Sequence, residues 1–298
     1  MRPPRLAVSE WAVLWLVALG IRLPGIWLVA NAHGDAYSYV DAIAEMSDKL
    51  SAGSFAFSDL FGFWLPLYQF VSALLVSASG MDPMIAGKTV SVLCGVASAI
   101  VVFDLTFKLT RDRRWAWLAF SLLLLEPGHV FLSALSMTET SHAFLVLCVI
   151  RYAALGRWHA AAVCGALAGL VRIDSWLFLL LLPVLQYVRG RRISFSVVLC
   201  LLITPVAWLS ISYAARGDAF VYFSERAKYV QAYLQFEPAR RGYSLIGQDA
   251  FALITGANPV IFPLALLAAG LILWRVPWNA SRREGLDDVV LENDQRHQ

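Results

Sequence analysis

Side chains that could carry out chemistry are few in this sequence and stand out from long apolar runs. Asp35 is the first: it follows an apolar segment in IRLPGIWLVANAHGDAYSY and has His33 two residues before it. A carboxylate there could accept a proton from a substrate hydroxyl, or it could cap the helix that follows, since Asp is a favoured N-cap. The sequence leaves these two roles about even. His33 could assist a proton transfer, although a lone loop histidine usually has no such role.

Arg172 and Asp174, in LVRIDSW, follow a short apolar run. A helix of about 14 residues is about 21 Å long, less than the roughly 30 Å of a bilayer core, so its end would stop below the membrane surface. An arginine at that depth needs an anion. Asp174 can supply one, and the functional alternative is a phosphate group, which a guanidinium grips through two N–H groups.

Three further ionisable residues stand out from the apolar runs and call for an explanation. Glu139, in SMTETSH, stands where a loop turns into a helix, and an anion in the first turn is favoured by the helix dipole. Lys88 opens an apolar run, where snorkelling is the default role. Glu126 precedes Pro127 inside an apolar run, where carboxylates are costly and usually functional. Pro127 would end the helix there, and His129 could pair with Glu126.

The composition places these residues in a membrane protein. The sequence is 59% hydrophobic and only 15% charged, with a mean hydropathy of +0.64, whereas soluble domains are about a quarter charged. Short basic clusters without interleaved aromatic residues exclude nucleic-acid binding. The four cysteines lie in apolar runs without metal or disulfide spacing, so we interpret them as packing residues.

The apolar runs predict a polytopic all-α protein with roughly eight spanning helices in one bundle. The spans cover about 7–29, 85–109, 115–134, 140–155, 159–171, 175–188, 193–213 and 260–274. A further run, Phe61–Val76, is short and split by Pro66. If that run does not cross, every basic cluster between spans lies on one side, as the positive-inside rule requires. The rule therefore predicts that both termini are cytoplasmic in a cell membrane.

This topology puts the unusual polar residues on one side. The first external loop covers about 30–84 and includes an amphipathic surface helix over Ala36–Leu50. The last external loop covers about 214–259, and both loops face outward together with Glu139 and Arg172. The membrane-embedded bundle covers 1–280, and the charged, apolar-poor segment 281–298 is predicted to be a disordered cytoplasmic tail.

Five segments, taken in order, resemble a known enzyme group. GDAYSYVDA, WLPLYQF, AGKTVSVLCG, SMTETSHAFL and GALAGLVRIDSWLF are similar to motifs of the membrane glycosyltransferases of the GT-C superfamily, which use lipid-linked sugar donors. Protein mannosyltransferases and aminoarabinose transferases belong to this superfamily. The resemblance covers about Leu6 to Leu185, and it implies a helical membrane enzyme that transfers a sugar from a polyprenyl-phosphate donor.

The resemblance also implies roles for individual residues. Asp35 matches the acidic residue of the first external loop, which acts as the catalytic base or lies near it, and Glu139 matches the acidic residue of the second external loop. If the reaction uses a divalent metal, these two carboxylates are its expected ligands. Arg172 and Asp174 match a motif that holds the phosphate.

Three residues complete the group expected to contact substrate or phosphate. Lys88 stands at a position that is commonly arginine in the superfamily, Tyr68 belongs to WLPLYQF, and His33 lies beside Asp35. The expected acceptor is a glycan, lipid or protein hydroxyl at the external face. The alternatives are a transporter or flippase of a lipid-linked or anionic substrate, and a non-catalytic membrane subunit. The lack of internal repeats disfavours a transporter, since transporters often have repeated halves.

Overall fold

The computed structural model describes residues 7–31, 34–60, 65–221, 223, 224 and 228. These residues form helices joined by short loops, without a strand among them. The predicted span at 260–274, the tail at 281–298, most of the loop at 214–259 and His33 lie outside the described residues.

Eleven α-helices follow one another in the described part of the chain. They are α1 (Val8–Arg22), α2 (Gly25–Leu28), α3 (Gly34–Ser51), α4 (Leu67–Ser79), α5 (Pro83–Thr110), α6 (Arg113–Leu124), α7 (Pro127–Ser133), α8 (Glu139–Ala154), α9 (Trp158–Gly169), α10 (Phe178–Gly190) and α11 (Phe195–Arg216). Two 3-10 turns, Phe57–Leu60 and Ile173–Leu177, precede α4 and α10.

Four helical segments are long and apolar enough to cross a membrane: Val8–Leu28, Pro83–Thr110, Ile173–Gly190 and Phe195–Arg216. A fifth candidate joins α6 and α7, which are bent by 61° at their break. These apolar helices indicate a multi-pass membrane protein. The predicted spans at 140–155 and 159–171 correspond to α8 and α9, which have 16 and 12 residues.

Local capping residues set several of these helix boundaries. Asp82 accepts hydrogen bonds from the amides of Met84 and Ile85 and is followed by a proline, which gives α5 a defined start. Glu126 does the same for α7. At the other end of a helix, Gly80 stops α4 in the left-handed conformation, with a φ of 67° that favours glycine.

Contacts between helix ends fix the direction of the first helices. Glu10, near the start of α1, pairs with Arg113 at the start of α6 at 2.8 Å, while Arg22 at the end of α1 reaches the carbonyl of Leu123 near the end of α6. The two helices are therefore parallel. Helix α5 runs the opposite way, because Lys88 near its start contacts the backbone carbonyl of Val29, just after α2.

The later helices also alternate in direction between the two ends of the bundle. Arg151, at the end of α8, pairs with Asp104 toward the end of α5 at 2.6 Å, so these two helices run the same way. His159 at the start of α9 contacts Ser196 at the start of α11 at 2.7 Å. Arg189, at the end of α10, donates to backbone carbonyls at the end of α8.

The helix ends therefore meet at two opposite ends of the helical unit. We call the end that carries Arg113, Arg151 and Arg189 the basic end, and the end that carries Lys88, Glu139 and Arg172 the site end. A large apolar core between α1, α5 and α6 holds the first of these helices together, and Phe103 lies at its centre in edge-to-face contact with Trp117 and Phe120.

Candidate functional site

A pair of ionic contacts joins α8 to the turn after α9. Arg172 Nη1 donates to Glu139 Oε1 at 2.9 Å, and Arg172 Nε donates to Asp174 Oδ2 at 3.2 Å. Arg172 has an extended backbone between the end of α9 and the next 3-10 turn, while Glu139 opens α8. One guanidinium thus bridges two carboxylates that are 33 and 2 residues away in sequence.

The three charged side chains differ in exposure. The Asp174 side chain is 59% exposed, against 36% for Arg172 and 31% for Glu139. Burial lowers the pKa of Arg172, whereas Glu139 and Asp174 raise it. The two carboxylates together outweigh burial, so the pKa stands above its ordinary value. Arg172 therefore stays cationic. The second carboxylate oxygen of Glu139, Oε2, is buried and has no hydrogen-bond partner in the described part of the chain.

Tyr39 links this ion pair to Asp35. Its hydroxyl lies 3.2 Å from Thr138 Oγ1, next to Glu139, and Asp35 lies one helical turn earlier on α3. Burial raises the pKa of Tyr39; Glu139 and Asp35 raise it too, whereas Arg172 lowers it. The phenol is therefore neutral.

The structure brings Glu139 and Arg172 into contact, and Asp35 lies one helical turn before Tyr39, whose hydroxyl contacts Thr138 beside Glu139. Asp35 lies in the first turn of α3 with an exposed side chain, and it forms no hydrogen bond or ion pair with the other described residues. The sequence allowed an N-cap role for Asp35, but the helix begins one residue before it, at Gly34. An exposed carboxylate without a partner among the described residues can act as a base or bind a cation.

Lys88 and Tyr68 are buried, and both donate hydrogen bonds to backbone carbonyls. Lys88 is 3% exposed and donates to the carbonyls of Ile26 and Val29 at 3.2 and 2.6 Å. Tyr68 is 1% exposed and donates to the carbonyl of Gly87 at 2.8 Å. The ring of Tyr68 also packs edge-to-face on the Tyr39 ring, 5.7 Å between centroids. In this arrangement both residues support the site from inside.

Close packing at Gly87 explains how the support is built. A Cβ at Gly87 would clash with the Ser136 side chain, so α5 approaches the loop before α8 as closely as a glycine permits. The hydroxyls of Ser91 and Ser136 lie 3.2 and 3.3 Å from the Tyr68 hydroxyl. The polar network continues from there toward Thr138 and Tyr39.

A second contact between α8 and the 3-10 turn was not predicted. His142 Nε2 lies 2.6 Å from Ser175 Oγ. His142 comes three residues after Glu139, and Ser175 comes directly after Asp174. The spacing of Glu139 and His142 on one helix face is the signal that sequence inspection could have used. The two contacts together fix the turn that carries Asp174 against the first turn of α8.

The predicted pair of Glu126 and His129 takes a different form. The Glu126 carboxylate accepts hydrogen bonds from the backbone amides of Gly128 and His129, as the N-cap of α7. The His129 ring instead contacts Arg22, with 3.1 Å between its Nδ1 and Arg22 Nη2. Pro127 does end one helix and begin another, as expected.

No group of three or more His, Cys, Asp or Glu side chains within the described residues is placed to hold a metal ion. The expected metal at Asp35 and Glu139 stays a prediction. The role expected for His33 also stays untested, since this residue lies outside the described residues.

Comparison with known proteins found no match: no family model, no curated protein and no solved structure is significantly similar to the chain. Any functional inference therefore rests on the residues described above.

Proposed function

We propose that this protein is a membrane glycosyltransferase of the GT-C type. It would transfer a sugar from a polyprenyl-phosphate donor to an acceptor hydroxyl, with Asp35, Glu139 and Arg172 at its active site. The observation that carries the proposal is the contact of Arg172 with Glu139, beside Tyr39 and Asp35. Glu139 and Arg172 come from separate segments and hold each other, and Asp35 lies one helical turn before Tyr39 on α3. The proposed transfer reaction needs a carboxylate and a held guanidinium.

The proposed topology has eight spans, with the basic end in the cytoplasm and the site end outside. Two observations support it. Parallel α1 and α6 bring the N-terminal side of the chain and the basic cluster around Arg113 to the same end, as the positive-inside rule favours. The start of α5 lies beside the end of α2, so α3 and α4 return to the end from which they left. The eighth span, at 260–274, is proposed from sequence alone.

In the proposed reaction, Asp35 accepts the proton of the acceptor hydroxyl. The acceptor oxygen then forms a bond to the anomeric carbon as the bond between that carbon and the phosphate oxygen breaks. The electron pair leaves with the polyprenyl phosphate, and Arg172 stabilises the charge that develops there. No redox partner is required, since each bond that breaks is balanced by one that forms.

Arg172 can release Asp174 to receive the phosphate. Asp174 is the more exposed of its two partners and makes the longer contact, 3.2 Å against 2.9 Å for Glu139. Solvent screening weakens the exposed contact. A phosphate could therefore take the place of Asp174 while Glu139 continues to hold the guanidinium. Lys88 and Tyr68 would keep α5 packed against the site. They could contact the phosphate only after breaking their present hydrogen bonds to backbone carbonyls.

The test is sugar transfer by purified full-length protein, reconstituted with labelled polyprenyl-phosphate hexose and pentose donors. We expect Asp35→Asn and Arg172→Ala each to lower the transfer rate by about 100-fold or more. Arg113→Ala is the matched control, because Arg113 also pairs with a carboxylate across two helices but lies at the basic end. Transfer by the two site variants at the parent's rate would refute the proposal. Movement of the labelled donor across sealed vesicles without transfer would support a flippase instead.

A further inference from the structure

A buried cation without an anionic partner lies near the break between α6 and α7. The Arg22 residue is only 1% exposed, and within the described residues no carboxylate forms an ion pair with it. Nη2 of Arg22 contacts the Leu123 carbonyl at 3.3 Å and His129 Nδ1 at 3.1 Å. Its Nε and Nη1 are buried without an acceptor.

The protonation of His129 follows from this contact. A guanidinium can only donate hydrogen bonds, so Nδ1 of His129 must accept, and its proton must be on Nε2. That Nε2 is also buried without a partner. The unsatisfied groups around Arg22 are therefore all donors, beside one positive charge. Such a group is costly inside a membrane protein unless an anion accepts from it.

The surroundings restrict where an anion can bind. The Nε side of Arg22 faces α5 closely, because a Cβ on Gly95 would lie 3.1 Å from Nε. The donors left for a ligand are Nη1 of Arg22 and Nε2 of His129, and because both atoms are buried, a ligand reaches them only when the α6–α7 break opens. Both belong to the segments that meet where α6 ends and α7 begins at a 61° bend, and a helix break is a place where a polar group can enter.

The exposed residues near the break are apolar. Leu125, directly after α6, is 65% exposed, and Phe131 on α7 is 39% exposed. An apolar surface next to buried donors suits a molecule with acyl chains and an anionic headgroup. A guanidinium is well suited to phosphate, since its planar N–H groups match phosphate oxygens.

We propose that Arg22 and His129 form a binding site for the phosphate group of an anionic membrane lipid. The site is built from side chains that the proposed sugar transfer does not use, so it stands independently of that function. Free phosphate offers the same oxygens without acyl chains, and the experiment separates the two sources. Glu126 lies at the same break with its carboxylate bound to the first amides of α7, so its negative charge opposes the ligand.

The test measures thermal unfolding of the purified full-length protein in detergent. Phosphatidic acid is added in excess, and diacylglycerol with the same acyl chains is the reference lipid. We expect phosphatidic acid, but not diacylglycerol, to raise the unfolding midpoint of the parent by about 5 °C, as saturating binding to the folded state does. An equal rise with millimolar inorganic phosphate would support the same site with free phosphate as its ligand. No rise with either phosphate compound would overturn the proposal.

Two variants locate the response. Arg22→Met should abolish it, and the variant should stay folded because an apolar side chain of similar length removes the cost of burying a charge. Arg172→Met should retain the response. The opposite pattern, loss with Arg172→Met and retention with Arg22→Met, would place the phosphate at the candidate active site and overturn the assignment to Arg22.

A third variant keeps the test decisive if Arg22→Met does not fold. Glu126→Gln removes the opposing charge, so it should lower the phosphatidic acid concentration needed for half of the shift by about threefold or more. If Glu126→Gln removed the response or left the half-shift concentration unchanged, the bound phosphate would not lie beside the break, and either result would contradict the proposal.

Discussion

At the residue scale, Arg172 shows why the same side chain supports both a structural and a functional interpretation. It is paired, as the structural interpretation requires, yet its pairing uses two carboxylates of which one is largely exposed. A single carboxylate would be enough to keep an arginine in place. The additional, weaker contact is the one that a phosphate could replace without leaving the cation alone.

The two carboxylates are expected to differ in their contribution to stability. Glu139→Gln should lower the free energy of unfolding by about 1 kcal/mol, because it weakens the less exposed contact. Asp174→Asn should change it by less than about 0.5 kcal/mol, since exposed ion pairs contribute little. Thermal unfolding of both variants in the same detergent makes the comparison. A larger loss with Asp174→Asn would show that the turn, rather than α8, holds Arg172.

Asp35 gives a second test at this scale, which separates a base from a helix cap. Removing a capping side chain costs about 1 kcal/mol. Because the Asp35 side chain makes no hydrogen bond with the described residues, we expect Asp35→Ala to lower stability by less than about 0.5 kcal/mol while abolishing transfer. Thermal unfolding and the transfer assay, performed on the same preparation, distinguish a catalytic base from a helix cap. Loss of stability together with activity would restore the capping role.

At the element scale, helix positions were largely predictable and their contacts were not. The amphipathic pattern over Ala36–Leu50 corresponds to α3 at Gly34–Ser51, and the expected short helix at 159–171 corresponds to α9 at Trp158–Gly169. Both follow from local periodicity and from breaks in the sequence. The contact of Arg172 with Glu139 instead depends on how α8 and α9 pack, which periodicity does not specify.

Lys88 also shows that sequence patterns do not specify contacts between helices. Its position at the start of α5 suggested a side chain that snorkels toward the membrane surface, but the structure directs it inward to the carbonyls of Ile26 and Val29. These carbonyls lie at the end of α2, where helical hydrogen bonding stops. A sequence pattern cannot show that a cation on one helix meets the carbonyl end of another.

The contact of His142 with Ser175 gives a prediction about the turn between α9 and α10. We expect His142→Ala to raise the KM for the sugar donor by about tenfold, because the turn that carries Asp174 would lose its second tie to α8. His142→Gln can still bond Ser175 and should restore most of the loss. The value of kcat should change less than KM, since His142 positions the phosphate-binding turn and does not contact the reacting atoms.

The matched control for this prediction is His159→Ala. His159 makes the same kind of contact, 2.7 Å from its Nε2 to Ser196 Oγ, but it joins α9 to α11 at the basic end. Its loss should leave KM unchanged. An equal rise in KM for both alanine variants would show that general weakening of the bundle, and not the position of the turn, lowers donor binding.

At the scale of the whole molecule, the placement of charges is informative in both sequence and structure. Charge counting along the sequence predicted that the basic clusters share one side. The structure brings Arg113, Arg151 and Arg189 to helix ends at the basic end, while Glu139 and Arg172 lie at the site end. An accumulation of Arg and Lys at one end of a bundle is what the positive-inside rule expects on the cytoplasmic side. On this rule we propose that the site end faces the outside of the cell.

Cysteine labelling in intact cells tests this assignment directly. In a background with the four native cysteines replaced by alanine, Ser38→Cys on the exposed face of α3 should react with a membrane-impermeant maleimide added outside. Thr110→Cys, at the exposed end of α5 beside the basic cluster, should react only after the membrane is permeabilised. Ser38 lies near the start of α3, on the side where α5 begins, and Thr110 lies at the other end of α5. The two positions therefore report on opposite faces if α5 spans the bilayer. Labelling of both from the same side would mean that α5 does not cross, and a reversed pattern would put the candidate site in the cytoplasm, where an external sugar transfer could not occur.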